Sequence, residues 1–195
     1  MKRIDTMQLF ILGLILFFGI HTVSIVNESW RDRMADKIGV WPWKGLYSLI
    51  SLVGLVLIIY GYGLARTAST VLYSPAPWQT HLALILLLPV FPLLLATYFP
   101  GRIRRLVGHP MLIATILWAV AHLLANGRVI DLLLFGAFLV WAVADLISMA
   151  RRDQRPLPGA PETDINDVIV VVAGLGLYIM FVVWLHALLI GVAVL

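Results

Sequence analysis

The chain has no cysteine and very little charge. Without cysteine there can be no disulfide, no thiolate metal ligand and no covalent c-type haem attachment. Only 12% of its 195 residues are charged while 62% are hydrophobic, and a soluble domain carries about twice that charged share. A chain so poor in polar side chains cannot cover its own core in water. In lipid that demand disappears, because the outer surface is itself apolar. The net charge of +4 is small and spread over connecting segments, which reads as membrane topology and not as nucleic-acid binding.

Long apolar runs supply what the composition implies. About 20 apolar residues are needed to cross roughly 30 Å of hydrocarbon. Six stretches meet or approach this, at about 7–26, 45–65, 79–99, 109–126, 129–149 and 167–194. The expected fold is all-α, a polytopic transmembrane helix bundle of about six spans in a single domain covering 1–195. Lys2 and Arg3 precede the first run, but no small-residue cleavage site follows it, so it reads as a retained span. Pro89 and Pro92 should kink the third span, and Ser51, Gly54 and Gly61 give the second a stripe for close helix packing. Trp41, Trp43, Tyr73 and Trp78 fall at span ends, where an aromatic belt is expected. Asp164 is placed to cap the last span, with Asp167 in its first turn.

The Lys and Arg residues are distributed asymmetrically. One set of alternating segments holds Lys2, Arg3, Arg66 and Arg128; the other holds Arg31, Arg33, Lys37, Lys44, Arg102, Arg104, Arg105, Arg151, Arg152 and Arg155. The richer side is expected to be cytoplasmic, with both termini periplasmic.

Polar residues within the apolar runs are the candidate functional groups, because ionisable side chains in a bilayer usually face the protein interior. Thr115, Trp118, His122 and Asn126 share one face of the fourth span. His109 is about 140° away around the same axis and stands at the helix start. His21 and His186 lie in the first and last spans. Neutral imidazole is a common ligand for haem iron, and two from facing helices would hold a b-type haem; hydrogen bonding across a helix interface is the alternative role. By depth, His122 and His186 match best, both falling in the outer half of the membrane. Asp131 and Asp145 lie about 21 Å apart along one helix, too far for a carboxylate dyad. Ion pairing at the span ends, with Arg128 and with Arg151 and Arg152, is expected. No nucleotide-binding glycine loop, Ser-His-Asp spacing or nucleophile elbow is present.

The runs PGRIRRLVGHPMLIATILWAVAHLLANG (100–127) and DLLLFGAFLVWAVADLISMARRD (131–153) resemble the central signature of NnrU proteins. GIHTVSIV (19–26), KGLYSLISLVGLVLIIYGYGLAR (44–66) and WLHALLIGV (184–192) also fit that pattern. The resemblance implies a bacterial inner-membrane protein acting in or beside nitrite and nitric oxide reduction, with a reductase system as partner. It further implies distant kinship with the plant zeta-carotene isomerase, which carries a b-type haem. Through it His122 and His21 become the implied metal ligands, with His186, Trp118 and Asn126 completing the candidate cofactor site. The kinship does not carry isomerase activity with it. A non-catalytic assembly factor and a haem-dependent enzyme acting on an apolar isoprenoid are the competing functions. GHPMLIA (108–114) also resembles the R-H-P-x-Y-x-G segment of isoprenylcysteine-type methyltransferases. Arg is missing before His109, and Leu112 and Ala114 replace Tyr and Gly, which argues against methyl transfer.

Overall fold

The computed structural model describes residues 6–152, 155 and 157–194. Lys2 and Arg3, counted in the charge balance, lie outside them. The chain is all-α. Its helices are α1 (Thr6–Val26), α2 (Glu28–Ile38), α3 (Val40–Ala65), α4 (Pro77–Leu87), α5 (Val90–Ala96), α6 (Arg102–Val107), α7 (Pro110–Ala125), α8 (Val129–Met149), α9 (Ile165–Met180) and α10 (His186–Ile190). A five-residue π-helical segment, Phe181–Leu185, joins the last two. Five helical stretches among the described residues are long and apolar enough to cross a membrane: Thr6–Val26, Val40–Ala65, Pro77–Tyr98, Val129–Met149 and Ile165–Ile190. The 16-residue α7 is the sixth apolar stretch, shorter than the rest. The lipid bilayer is therefore the environment the fold requires.

Two compact units divide the chain, Met1–Ser74 with Gly127–Ser148, and Pro75–Asn126 with Met149–Leu195. In the first unit α1 and α3 pack backbone against backbone. A Cβ on Gly13 would come within 2.6 Å of the Ile58 nitrogen, one on Gly54 within 2.7 Å of the Phe17 nitrogen, and one on Gly61 within 2.6 Å of the Phe10 nitrogen. The expected stripe of Gly54 and Gly61 is thus met by a third glycine on α1. Small residues allow such close approach, and dispersion contacts then hold the helices together in lipid. Phe10, Ile58, Ala65 and Ile130 form the core beside this contact.

The first connector, between the expected spans 7–26 and 45–65, is helical. Asn27 accepts the Trp30 amide at 2.9 Å and starts α2, while α3 begins at Val40, earlier than the expected 45. Pro42 is tolerated there because first-turn amides have no partner inside the helix. At the other end of this unit, the Leu72 amide donates to the Gly127 carbonyl at 2.7 Å and the Val129 amide to Thr70 at 3.0 Å. Gly127 packs directly on the Tyr73 carbonyl, leaving no room for a side chain.

In the second unit, α5 packs on α9 where Gly174 meets Pro92; a Cβ there would lie 2.5 Å from the proline nitrogen. The third span breaks between Leu87 and Val90, as Pro89 requires. The Leu88 amide shortens its bond to Ile85, at 3.3 Å. This releases the Leu84 carbonyl, which accepts the Tyr178 hydroxyl at 3.0 Å. A neighbouring helix thereby satisfies the group that the proline freed.

The expected capping of α9 takes a different form. Asp164 stands at its N-cap without a side-chain cap bond, because its carboxylate receives Arg102 at 2.6 Å and Arg105 at 3.2 Å. Asp167 caps α6 instead, accepting the amides of Arg102 at 2.9 Å and Ile103 at 3.0 Å. Arg105 also pairs with Glu162. Each guanidinium is held further above its usual range by carboxylate hydrogen bonds, and Asp164 below its own by the two arginines.

Candidate functional site

Thr115, His122 and Asn126 on the marked face of α7 each bond to the backbone of their own helix. The Thr115 hydroxyl donates to its own helix at Met111, 2.9 Å away. His122 Nδ1 lies 2.8 Å from the Trp118 carbonyl, which fits an Nδ1–H donor and leaves Nε2 with its lone pair. Trp118 and His122 have ring centres 5.0 Å apart. Trp118 also packs beside a core of Val90, Leu93 and Ala114, so its position is fixed from two sides. Asn126 ends α7 and donates its side-chain amide back to the His122 carbonyl at 3.0 Å.

His186 lies in the same unit, and its ring centre is 6.5 Å from that of His122 with the planes 28° apart. Its Nδ1 lies 2.7 Å from the Val192 carbonyl. The chain returns to that carbonyl because Gly191 adopts a left-handed conformation, φ 75°, at the end of α10. The π-helical turn ends immediately before His186. Both imidazoles are therefore oriented the same way electronically, with Nδ1 spent on the backbone. Metal–nitrogen bonds of about 2.0 Å on either side of one ion put two ring centres about 6 Å apart, near the separation seen here. The spacing of the ring centres alone matches that of two imidazoles on one metal. Among the described residues no group of three or more His, Asp or Glu side chains is placed to hold an ion; a bis-histidine haem needs two.

His21 belongs to the other unit. Its ring stacks on Phe17 at 4.2 Å and meets Tyr47 at 5.1 Å and Trp141 at 5.7 Å, both edge-on. Its Nδ1 approaches the Phe17 carbonyl at 2.6 Å. His109 stands at the N-cap of α7.

Asp131 is 2% exposed, and its bonds differ from the ion pair expected of it. It accepts the Tyr62 hydroxyl at 2.7 Å and the Arg128 backbone amide at 3.0 Å. The Arg128 guanidinium donates to the Ser69 carbonyl at 2.9 Å, and the Ser69 hydroxyl receives the Ile130 amide at 3.1 Å. This is a helix-start network, satisfied by local backbone and one tyrosine. Tyr62 carried no sequence signal, since its partner is 69 residues away.

Among known proteins, no curated sequence and no solved structure matches this chain. The NnrU protein family matches residues 9–194, nearly the whole length. That match includes every helix described above except the first few residues of α1, together with His21, His122 and His186. The chain is a member of the NnrU family of membrane proteins.

Proposed function

We propose that this protein binds haem b within the membrane and acts in or beside nitrite and nitric oxide reduction. The observation that supports this reading is the His122–His186 pair, with ring centres 6.5 Å apart and both Nδ1 atoms held against carbonyls. His122 and His186 would be the ligands, Trp118 would position His122, and Asn126 would steady the turn of backbone beneath it. His21, which the family resemblance pairs with His122, is the alternative partner. When bound, the haem would supply one-electron chemistry to a partner reductase system in the bacterial inner membrane. The protein's own contribution is to fix each imidazole tautomer through its backbone bond and to keep both rings from rotating.

Absorption spectra of the protein purified from membranes after expression with ample haem test the proposal. A Soret band is expected, lost or shifted with His122→Ala and with His186→Ala, and kept with His21→Ala. No band, or one indifferent to His122→Ala, defeats haem ligation here. Loss with His21→Ala and not with His186→Ala transfers the second ligand to His21.

Both termini are proposed to face the periplasm, from the excess of Lys and Arg on the opposite side. Because the chain has no cysteine, a single Arg152→Cys reporter is unambiguous. Labelling only from the periplasmic side would reverse the orientation.

A further inference from the structure

The surroundings of His21 hold more polar groups than helix packing needs. Phe17 covers one face of the imidazole, and the rings of Tyr47 and Trp141 meet it edge-on, Trp141 at 89°. Three helices, α1, α3 and α8, contribute these side chains, all within one compact unit. Trp141 Nε1 and Ser51 Oγ are buried without a hydrogen-bond partner among the described residues. Ser51 follows Tyr47 by one helical turn on α3. An indole N–H in hydrocarbon has no water to turn to, so leaving it unmet is costly.

The unmet indole can only donate, so its natural partner is a hydrogen-bond acceptor. With Nδ1 directed at the Phe17 carbonyl, His21 retains Nε2 as an open acceptor. The walls are aromatic and favour a flat ring. A groove of about 490 Å³ begins at Phe18 and runs past Gly19, Thr22, Val26 and Asn27 to Trp30. The Phe18 ring lies 6.2 Å from that of Trp141, so the groove and the polar cluster share a wall. Its lining is almost wholly apolar, and Ile15 and Val26 stand 62% and 78% exposed along it. A tail leaving the polar cluster therefore has an apolar path open to lipid.

We infer that the His21–Tyr47–Trp141 cluster binds the headgroup of a membrane quinone, whose isoprenoid tail follows the groove beside Phe18. A quinone is planar and lipid-soluble, and its carbonyl oxygens accept the bonds that Trp141 and Ser51 lack. A hydrocarbon isoprenoid shares the tail but offers no acceptor. The cluster belongs to a different compact unit from His122 and His186, and its occupation can be read without haem.

The test uses the full chain in nanodiscs with decyl-benzoquinone and a photoreactive azido derivative of it. Saturable labelling within 6–26, 40–65 or 129–148 is expected, displaced by decyl-benzoquinone and not by squalene. Trp141→Phe and Ser51→Ala should each weaken the quinone about 3- to 10-fold, the effect of losing one hydrogen bond, while leaving any Soret band unchanged. Unsaturable labelling, labelling confined to 75–126 or 157–194, equal displacement by squalene, or full affinity in both variants would overturn the inference. Should the variants fail to fold, the labelling map of the unaltered chain decides it alone.

Discussion

The imidazoles of His122 and His186 come from helices 64 positions apart in the chain and lie 6.5 Å apart, each tied by Nδ1 to a backbone carbonyl. What brings His186 to this position is the turn before it. Phe181–Leu185 is wound as a π-helix, which fits one extra residue into a turn of otherwise α-helical chain. Such bulges re-aim whatever follows them.

Insertion of an alanine after Val183 should rotate His186 by about 100°. Helical content, read by far-UV circular dichroism, is expected to stay the same. The haem absorbance is expected to fall as far as it does with His186→Ala. Full retention of the band after the insertion would show that the ring pair has no part in ligation.

Close packing of α1 on α3 predicts sharply different results at different glycines. Gly54→Val should cost about 1–3 kcal/mol, because the new side chain meets the backbone of Phe17, which cannot swing aside. Gly63, with nothing within 4 Å of its notional Cβ, should accept Ala at no cost or with a gain of up to about 1 kcal/mol. Denaturant unfolding in detergent compares the two, and equal stabilities would contradict the packing described.

Burial of Asp131 beneath Tyr62 makes their hydrogen bond a sensitive point. Tyr62→Phe removes the donor but leaves the carboxylate buried, at an expected cost of about 1–3 kcal/mol. With Asp131→Asn added, the combined loss should be less than the sum, since both changes act on one bond. Additive losses in a double-mutant cycle would place the two residues in separate interactions.

The clip between Arg102 and Arg105 of α6 and the start of α9 should respond to acid. Asp164 titrates below the usual carboxylate range because the two arginines favour its charged form. Its pairing is thus complete above that range and is lost as pH falls through the lower, folded value. Hydrogen exchange of the Arg102 and Ile103 amides should be faster with Asp167→Asn, which weakens the cap they share. That change is expected to cost about 1 kcal/mol. Exchange unaffected by the substitution would mean that α6 is held by other contacts.

Much of this protein was legible in the chain itself. Span positions depend on the length and apolarity of consecutive residues, so all six stretches could be located before any contact was known. The break at Pro89 and the glycine stripe of α3 were equally local in origin, one from a missing amide and the other from missing side chains. Helix α2 was less visible, because a short polar helix has no hydropathy signal, and Pro42 masked the early start of α3.

Partnership was decided by tertiary structure. Sequence depth favoured His186 beside His122, and the family resemblance favoured His21; periodicity describes one helix at a time and cannot choose between them. The same limit hid Tyr62 from Asp131 and turned Asp167 from a charge in its own helix into the cap of α6. Hydrophobicity sorts residues into the bilayer but does not rank neighbours within it, since lipid tails are as apolar as leucine. Which helices touch, and which polar side chains meet, follows from backbone approach at Gly13, Gly54, Gly61 and Gly174, where the shape of the whole chain and not its local pattern sets the contact.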